Sequence, residues 1–526
     1  MNSEHSDHSN VLQCEICIVG TGIAGLALAS ELRNSGIDMI ILESGDWSGD
    51  NGTNNLTVTK DVGLPYQSPK VGQNRGFGGT TELWGGQCAK LDPIDFQPKE
   101  QFDDAGWPLQ SSELSGFYKR ALKLFSLPES GLEQSTTKEF PLSRIPFDSD
   151  ALHSTFSVFS PKRFLGRELK TVIKNSRNIR VMTNATVTEL LENKTKPSVE
   201  YVKYSSLSGQ IGHIKAKYII LCCGPFEIPR LLLHSSNKNS YGIGNQNDLV
   251  GRYLQDHLIC SPAKIVTANK RSLASQFELV RKGGVRWSQK LSTPDKTQLK
   301  EGILNASASV VFDYEGQEVM NALVRVYRAL RSQKISDLNW GDLTFLMKNP
   351  LEAIAHGCRN LGYSIPLLLQ PNQIRLSVIT QQAPNPNSRI ELDEAKDKLG
   401  IPLPKIDWKV GDHERRTIEF MVQICSHEFK RLNMGEIQVE PWLADSEAQF
   451  SSRVSPILHP SGTTRMAKCA TKGVVDVDCR VFGSPNLFIS SSSVFPTSGH
   501  ANPGLTIAAL AIRLADHLKS RFAEEA

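Results

Sequence analysis

The sequence lacks an excess of charge of either sign. It contains 59 Lys and Arg residues against 55 Asp and Glu residues, which gives a formal net charge of +4. A protein that binds a nucleic-acid backbone needs a broad positive surface, and this balance argues against nucleic acid as a partner. Repeats and low-complexity segments are also missing, and 39% of the residues are hydrophobic. The composition is therefore typical of a folded globular protein with a large core.

Long hydrophobic runs are missing as well. The apolar stretch from Leu505 to Ile512 is far shorter than the roughly 20 residues that a membrane-spanning helix requires. The first ten residues are polar and do not show the basic start and apolar core of a secretory signal. We therefore expect no membrane span and a cytoplasmic location.

The ten cysteines show no regular spacing. Cys14 and Cys17 form a CxxC pair inside an apolar segment. No second CxxC or His pair accompanies it to complete a metal site. We interpret the cysteines as free thiols and predict no metal centre.

Residues 15–43 have the pattern of a strand, a G-x-G-x-x-G turn, a helix and a second strand. In such a unit Gly20 allows a tight turn, and Gly22 lets the backbone approach a pyrophosphate. Gly25 lets the helix pack closely. Glu43 ends the second strand, where a carboxylate accepts hydrogen bonds from an adenosine ribose and repels a 2′-phosphate. The pattern predicts a site for FAD or NAD.

Further along the chain, the character of the sequence changes twice. Strands are predicted at residues 179–191 and 198–204, and the run KYIILCCGPFEIPRLLLHSS passes from a buried strand through Gly224 into a helix. A region of polar strands and amphipathic helices follows, with helical stretches near 318–332 and 343–360. The C-terminal region returns to the earlier character, so the nucleotide-binding domain is predicted to be discontinuous.

Five collinear motifs resemble the glucose-methanol-choline (GMC) family of flavin-dependent alcohol oxidoreductases. They are VGTGIAG with its Glu43, GFGGTTELWGGQ, LCCGPFEIPRLLL, LVGRYLQDH, and the C-terminal pair HPSGTTRM and VFPTSGHANPGLTIAALA. The resemblance extends from residue 14 to about residue 518. It implies FAD, an α/β, doubly wound (Rossmann-like) FAD-binding domain assembled from discontinuous segments, and an α+β substrate domain whose antiparallel sheet covers the flavin.

The resemblance also implies domain limits. The N-terminal part of the FAD-binding domain is expected at residues 1–257, with a flavin-wrapping segment at 72–90 and possible substrate-domain insertions near 91–165. The substrate domain is expected at 258–455. The C-terminal part of the FAD-binding domain, with the catalytic residues, is expected at 456–526.

Further cofactor contacts are implied by the same resemblance. The segment Gly78, Gly79, Thr80 and Thr81 is expected to wrap the flavin, and the other implied contacts are Val187, Gly224, Ser492, Asn502 and Pro503. Some family members attach the flavin covalently to a histidine beside the tryptophan. In this sequence the neighbour of Trp84 is Leu83, so noncovalent FAD is expected. Ser491 is a second departure, because the family usually has an acidic residue there.

The resemblance implies a catalytic pair. Taking a hydride from an alcohol leaves a hydroxyl proton, which a base with a pKa near neutrality can remove. His459 is the implied base, and Asn502 is implied to orient the substrate oxygen. His500 is a rival candidate, whereas His257 is expected to be structural. Trp84 and Trp408 are candidates for pocket walls, although a buried aromatic is more often part of a core.

Asn502 and Pro503 precede a long apolar-periodic stretch, and we predict that they are the N-cap and first-turn proline of a helix. If that N-terminus faces the flavin, as the family resemblance implies, its positive dipole end would stabilise reduced flavin by about 1 kcal/mol.

The function implied is oxidation of an alcohol to a carbonyl by hydride transfer to flavin N5. GGTTELWGGQ and HPSGTTRM look most similar to the pyranose oxidase and sugar dehydrogenase members. A sugar, a polyol or a sugar-containing natural product such as an aminoglycoside is therefore the expected substrate, with oxygen or a quinone as electron acceptor. Two alternatives remain: a lyase that keeps FAD without net redox, and a nucleotide-binding module without catalysis.

Overall fold

The structure is a computed structural model that describes most of the chain. The described residues are 11–48, 52–66, 72–99, 102, 106–128, 132, 145–235, 241–332, 338–360, 371–445 and 450–525. The first ten residues, on which the expectation about a secretory signal depends, lie outside these ranges. Parts of the predicted insertions near 91–165 do so too.

The strands are numbered β1 to β19 in chain order. Their bounds are Val11–Val19, Met39–Leu42, Lys60–Asp61, Gln87–Cys88, His153–Phe159, Ile179–Met182, Thr186–Glu192, Val199–Ser205, Ile211–Leu221, Leu258–Val266, Val280–Lys282, Val285–Ser292, Ala306–Tyr314, Pro371–Thr380, Arg389–Lys396, Pro402–Asp407, Glu436–Val439, Ser455–Pro456 and Leu487–Ile489.

The α-helices are numbered α1 to α12. Their bounds are Ile23–Leu32, Ser115–Leu124, Leu165–Lys174, Gly224–His234, Lys270–Phe277, Asp295–Glu301, Gln317–Ser332, Trp340–Lys348, Pro350–Asn360, Asp412–Arg431, Pro441–Ala444 and Gly504–Glu525.

The first sheet places β1 between β2 and β9. Over the described residues its order is β6-β2-β1-β9-β8-β7, and β19 also pairs with β9. The pairs around β1 are parallel, whereas β7, β8 and β9 pair antiparallel. The chain passes from β1 to β2 on one side and later returns to β9 on the other side, so the carboxyl end of β1 is a switch point, where α/β sheets bind their ligands.

Burial explains why these strands form. The second half of β1 and all of β2 are buried, as expected for parallel strands that are covered on both faces. The covering helices include α1, which packs against α12. Helix α12 in turn buries a continuous apolar stripe that includes Leu505, Ala508 and Ile512.

The second sheet is antiparallel. Over the described residues its order is β17-β10-β14-β13-β12-β5-β4, with β11 beside β12 and β18 beside β10. Helix α10 packs on β10, β13, β14 and β17 and contributes Ile418, Met421 and Cys425 to a second hydrophobic core. The predicted fold class, an α/β, doubly wound domain with a second domain built on an antiparallel sheet, is confirmed by this architecture. The predicted domain limits remain a prediction.

Three local predictions need correction. The predicted strand 179–191 is two strands, because Asn184 adopts a left-handed φ of 56° and turns the chain. The predicted helix 343–360 is two helices, since Pro350 provides no N–H to continue the first of them. Helix α12 begins at Gly504 and the Pro503 carbonyl accepts from Ile507 N at 2.9 Å, so Pro503 occupies the N-cap position predicted for Asn502.

All ten cysteines are thiols in this structure. Cys14 and Cys17 lie on β1, and burial raises the pKa of both. The described residues contain no cluster of His, Cys, Asp and Glu that fits a metal ion. None of the described helices is long and apolar enough to cross a bilayer.

Gly25 and Gly22 of the N-terminal turn differ in the space around them. A Cβ added at Gly25 would lie 2.0 Å from the Gly20 carbonyl oxygen, so the helix approaches the turn more closely than any other residue allows. A Cβ added at Gly22 would have no protein atom within 4 Å, and the Gly22 φ of −68° suits any residue. Gly25 is therefore required by the protein, whereas the space at Gly22 is available to a ligand.

This contrast predicts different consequences for two matched substitutions. Gly25→Ala is expected to destabilise the protein by about 1 to 3 kcal/mol because of overpacking, while Gly22→Ala is expected to leave the unfolding temperature of the apoprotein unchanged and to weaken FAD retention. Thermal unfolding and the flavin content of the purified variants measure the two effects. Full FAD content in Gly22→Ala, or wild-type stability in Gly25→Ala, would contradict this account.

Candidate active site

A cavity of about 640 Å³ lies where the carboxyl ends of β1, β2, β9 and β19 meet. Its volume is within the range of ligand sites. Most of the predicted cofactor and catalytic residues line it: Gly20, Gly22, Glu43, Gly79, Thr80, Val187, Gly224, Ser492, His459, Asn502 and Pro503. The sheet order explains this convergence for the residues that follow β1, β2, β9 and β19, because these parallel strands end at the same edge of the sheet.

Gly25, Gly78 and Thr81 lie behind the cavity lining and support it. Gly78 has a φ of 105°, and a Cβ there would lie 2.8 Å from the Cα of Gly166. Thr81 Oγ1 donates to the Gly78 carbonyl at 2.6 Å. These residues support the predicted flavin-wrapping segment on the side that faces away from the cavity.

Glu43 binds the glycine turn as well as lining the cavity. Its Oε2 accepts from Thr21 N at 3.0 Å and from the Thr21 hydroxyl, and its Oε1 accepts from Gly45 N at 3.0 Å. Burial raises the pKa of Glu43, and these hydrogen bonds oppose that rise. Sequence reasoning missed Thr21, although it lies inside the G-x-G-x-x-G motif.

Arg75 and Glu227 are two further cavity residues that sequence reasoning missed. They form an ion pair of 2.9 Å, and Arg75 Nη1 also donates to Ser44 Oγ at 3.1 Å. Burial opposes ionisation of Glu227, but Arg75 and Arg230 together lower its pKa. Glu227 lies within the LCCGPFEIPRLLL motif, so its position was the available signal.

A serine-rich segment that follows β19 forms another wall of the cavity. Ser491 Oγ accepts from Ser493 N at 3.2 Å and caps a short 3₁₀ turn, which gives this departure from the family pattern a structural role. Ser490 Oγ is buried and has no hydrogen-bond partner among the described residues. An unsatisfied buried hydroxyl beside a cavity fits a ligand that supplies the missing partner.

His459 and Asn502 lie side by side in the cavity lining. Asn502 Nδ2 lies 3.3 Å from His459 Nε2, and His459 Nδ1 lies 2.8 Å from Nδ1 of His257. His257 Nε2 lies 3.3 Å from the Ser498 carbonyl oxygen. Burial, followed by the charges of His257 and Lys290, lowers the pKa of His459 well below its ordinary value. His459 is therefore neutral, and can accept a proton, at neutral pH.

Asp256 fixes the backbone around both histidines. Its Oδ1 accepts from His257 N at 2.7 Å and from His459 N at 3.0 Å, and its Oδ2 accepts from the Tyr66 hydroxyl. Burial raises the pKa of Asp256 to about 7 against the opposing effect of these hydrogen bonds. Leu458 next to His459 has a left-handed φ of 67°, which a branched residue adopts only where surrounding contacts impose it.

Of the remaining predicted candidates, His500 and Trp408 do not line the cavity, whereas Trp84 does. His500 is buried, and its Nε2 lies 3.1 Å from Asp92 Oδ2 without the alignment of a good hydrogen bond. Trp408 is buried in the second core, where its Nε1 donates to Gln382 Oε1 at 2.8 Å. Trp84 lines the cavity beside Leu83, so of the two predicted wall aromatics Trp84 has that position.

The residues present fit FAD. The open space at Gly22, the carboxylate of Glu43, the orphaned Ser490 hydroxyl and the N-terminus of α12 all border one cavity. The free N–H groups of a helix N-terminus and its positive dipole end attract negative charge. The same cavity reaches the His459 and Asn502 side chains.

The chain is similar to known oxidoreductases. A family model described as GMC oxidoreductase matches residues 384–511, and one described as FAD dependent oxidoreductase matches residues 15–242. The fructose dehydrogenase large subunit of Gluconobacter japonicus is 22% identical, over 97% of this chain and 98% of that protein. Paromamine 6′-oxidase of Streptomyces fradiae is 21% identical, over 95% and 90%.

A solved formate oxidase has the same fold. Its TM-score is 0.59 at 16% identity, and the match covers 98% of this chain and 99% of the formate oxidase. The two family models match an N-terminal and a C-terminal part of the chain, which residues 243–383 separate. The chain therefore combines an FAD-dependent oxidoreductase domain with a C-terminal part that matches the GMC oxidoreductase model, and it is an FAD-dependent oxidoreductase.

Proposed function

We propose that this protein oxidises a sugar or polyol alcohol to a carbonyl, with His459 as the base and Asn502 as the residue that orients the substrate oxygen. The observation that carries the proposal is the convergence of these two side chains, 3.3 Å apart, in the lining of a cavity whose other walls fit FAD.

The chemistry follows from what each side chain can do. A neutral His459 accepts the hydroxyl proton of the substrate, and the amide of Asn502 donates a hydrogen bond to the oxygen as negative charge develops on it. The carbinol carbon loses a hydride, so the substrate loses two electrons and two hydrogens and becomes a carbonyl compound. Bound FAD supplies the acceptor for that hydride.

The residues that would hold FAD are those of the cavity lining. Gly20 and Gly22 would allow close approach of the pyrophosphate, and Glu43 would accept from the ribose. The N-terminus of α12, beginning at Gly504, would stabilise the negative charge of the reduced cofactor.

Leu83 supports noncovalent binding. It lines the cavity beside Trp84, and its side chain has no nucleophilic atom with which to form a link to the flavin. Family members that attach their flavin covalently have a histidine at this place.

The relatives support an alcohol substrate that carries several hydroxyls. The name of one is fructose dehydrogenase and that of another is paromamine 6′-oxidase, which fits a sugar, a polyol or an aminoglycoside. One relative is thus named a dehydrogenase and the other an oxidase, so both oxygen and a quinone are acceptors to test. Both names describe net oxidation, which favours an oxidoreductase over the lyase alternative.

Noncovalent binding predicts the fate of the flavin on denaturation. Acid or heat treatment of the purified holoenzyme is expected to release all of the FAD into the supernatant, because Leu83 stands in place of the linking histidine. Absorbance of the supernatant and of the washed precipitate at flavin wavelengths measures this. A precipitate that stays yellow would disprove the prediction.

The catalytic assignment predicts how two substitutions differ. His459→Ala is expected to slow anaerobic flavin reduction by about 10²- to 10⁴-fold, while Asn502→Ala removes only a neutral hydrogen bond and is expected to slow it less. FAD content should remain near normal in both variants. Because Pro503 holds the N-cap position, Asn502→Ala should not destabilise α12.

The pH dependence separates the base from its neighbours. Since the pKa of His459 is lowered, the wild-type rate of flavin reduction should be constant at neutral and higher pH. It should fall only on the acid side of the ordinary histidine range. His459→Ala should lose that acid limb. A wild-type rate in His459→Ala together with a slow His500→Ala would transfer the role of base to His500.

A further inference from the structure

Four groups form a chain of hydrogen-bonding atoms that leads from the cavity lining at Asn502 and His459 to the buried His257 and the Ser498 carbonyl. The Ser498 carbonyl oxygen faces His257 Nε2 at 3.3 Å, His257 Nδ1 faces His459 Nδ1 at 2.8 Å, and His459 Nε2 faces Asn502 Nδ2 at 3.3 Å. His257 is buried and His459 is partly buried, and the two rings cross nearly at right angles, 5.0 Å apart. Solvent is therefore not a ready alternative partner for the inner ring nitrogens.

The order of donors along this chain is determined by its two ends. A carbonyl oxygen only accepts, so His257 Nε2 carries the proton. Burial lowers the pKa of His257 to about 4, so the ring is neutral and its Nδ1 is an acceptor. The facing Nδ1 of His459 must then be the donor, which leaves His459 Nε2 without a proton.

The other end of the chain gives the same answer. With its amide placed as in the structure, Asn502 donates from Nδ2 towards His459 Nε2, and a nitrogen that accepts has a free lone pair. Two independent partners thus select the same tautomer of His459. That tautomer presents its basic nitrogen to the cavity and turns its N–H away from it.

We propose that His257 is a positioning residue, which accepts the Nδ1 proton of His459 and so keeps the basic Nε2 of His459 directed at the substrate hydroxyl. The proposal rests on the proposed function, because it assigns His257 a purpose only if His459 is the base. It replaces the structural role that the sequence alone suggested for the LQDH histidine. Tautomer control by a second side chain is a general way to orient a catalytic histidine.

The surrounding structure holds His257 where this role requires it. Asp256 Oδ1 accepts from the backbone N–H of both histidines, so one carboxylate oxygen sets the spacing between them. Gln255 and Ser461 exchange backbone hydrogen bonds of 3.1 and 2.9 Å, which pair the LQDH segment with the HPSG segment. The two rings are thereby presented by adjoining, paired segments.

If His257 had only a structural role, its ring would fill space and donate a hydrogen bond to the Ser498 carbonyl. Its loss would then change the stability of the protein without changing the tautomer of His459. Two substitutions separate these roles. His257→Leu keeps most of the volume and removes the acceptor. His257→Asn places an amide oxygen near the position of Nδ1 and restores the acceptor, although it gives up the contact with Ser498.

The experiment uses the FAD-loaded enzyme labelled with ¹⁵N in its histidine rings. The ring ¹⁵N shifts report which nitrogen carries the proton, and the His459 resonances are those absent from His459→Gln. Wild type and His257→Asn are expected to show a protonated Nδ1 and a bare Nε2, and His257→Leu is expected to show a weaker preference, because only Asn502 then selects this tautomer. Anaerobic flavin reduction should be slower by about 10- to 100-fold in His257→Leu, the range found when a partner that orients a histidine is removed, and should largely recover in His257→Asn.

Each outcome bears on the proposal. A wild-type His459 with its proton on Nε2 overturns it without any variant. If His257→Leu binds FAD and reduces it at the wild-type rate, the proposal is also wrong. If His257→Leu does not fold, His257→Asn decides: a reversed tautomer with an unchanged rate contradicts the proposal, and a retained tautomer with a retained rate supports it. The tautomer is read without substrate, so a failure of the proposed function, seen as no reduction of wild-type flavin by any alcohol, remains distinguishable.

Discussion

The buried carboxylate of Asp256 holds together the two segments on which the active site depends. One segment leads into β10 of the antiparallel sheet, and the other carries His459 along the edge of the cavity. Asp256 accepts the backbone N–H of a histidine from each segment and the hydroxyl of Tyr66. Burying a carboxylate is costly unless it is fully hydrogen-bonded, so these bonds favour a single arrangement. The left-handed backbone at Leu458 is tolerated next to this anchor.

The cofactor half of the site follows from sheet order rather than from any one contact. Strands β1, β2, β9 and β19 end at one edge, so the glycine turn, Glu43, Gly224 and the serines after β19 are gathered around one cavity. The N-terminus of α12 completes this cavity and is adjacent to Asn502. The arrangement therefore brings a site suited to a flavin and a neutral base to the same place, which oxidation of an alcohol requires.

The sequence was sufficient for the parts of the site that depend on local geometry. The G-x-G-x-x-G turn and Glu43 were predictable because glycine spacing and strand ends determine them within 30 residues. The contact between His257 and His459 was not predictable, because the two residues lie 202 positions apart and only the tertiary fold brings their Nδ1 atoms to 2.8 Å. The helix start was placed one residue early because Asn502 is a good N-cap residue, but here its amide faces His459 instead. Arg75 and Glu227 were missed for the same reason as the contact between the two histidines, since their ion pair joins distant segments.

The central claim is that a hydride leaves the carbinol carbon of an alcohol in this cavity. The most direct test is anaerobic stopped-flow reduction of the wild-type holoenzyme by sugars and polyols, each compared with its counterpart deuterated at the oxidised carbon. The account predicts bleaching of the flavin that is several-fold slower with the deuterated compound, with one carbonyl formed per flavin reduced. Conversion of an alcohol without flavin bleaching, or bleaching that is insensitive to deuterium under conditions where chemistry limits the rate, would contradict it.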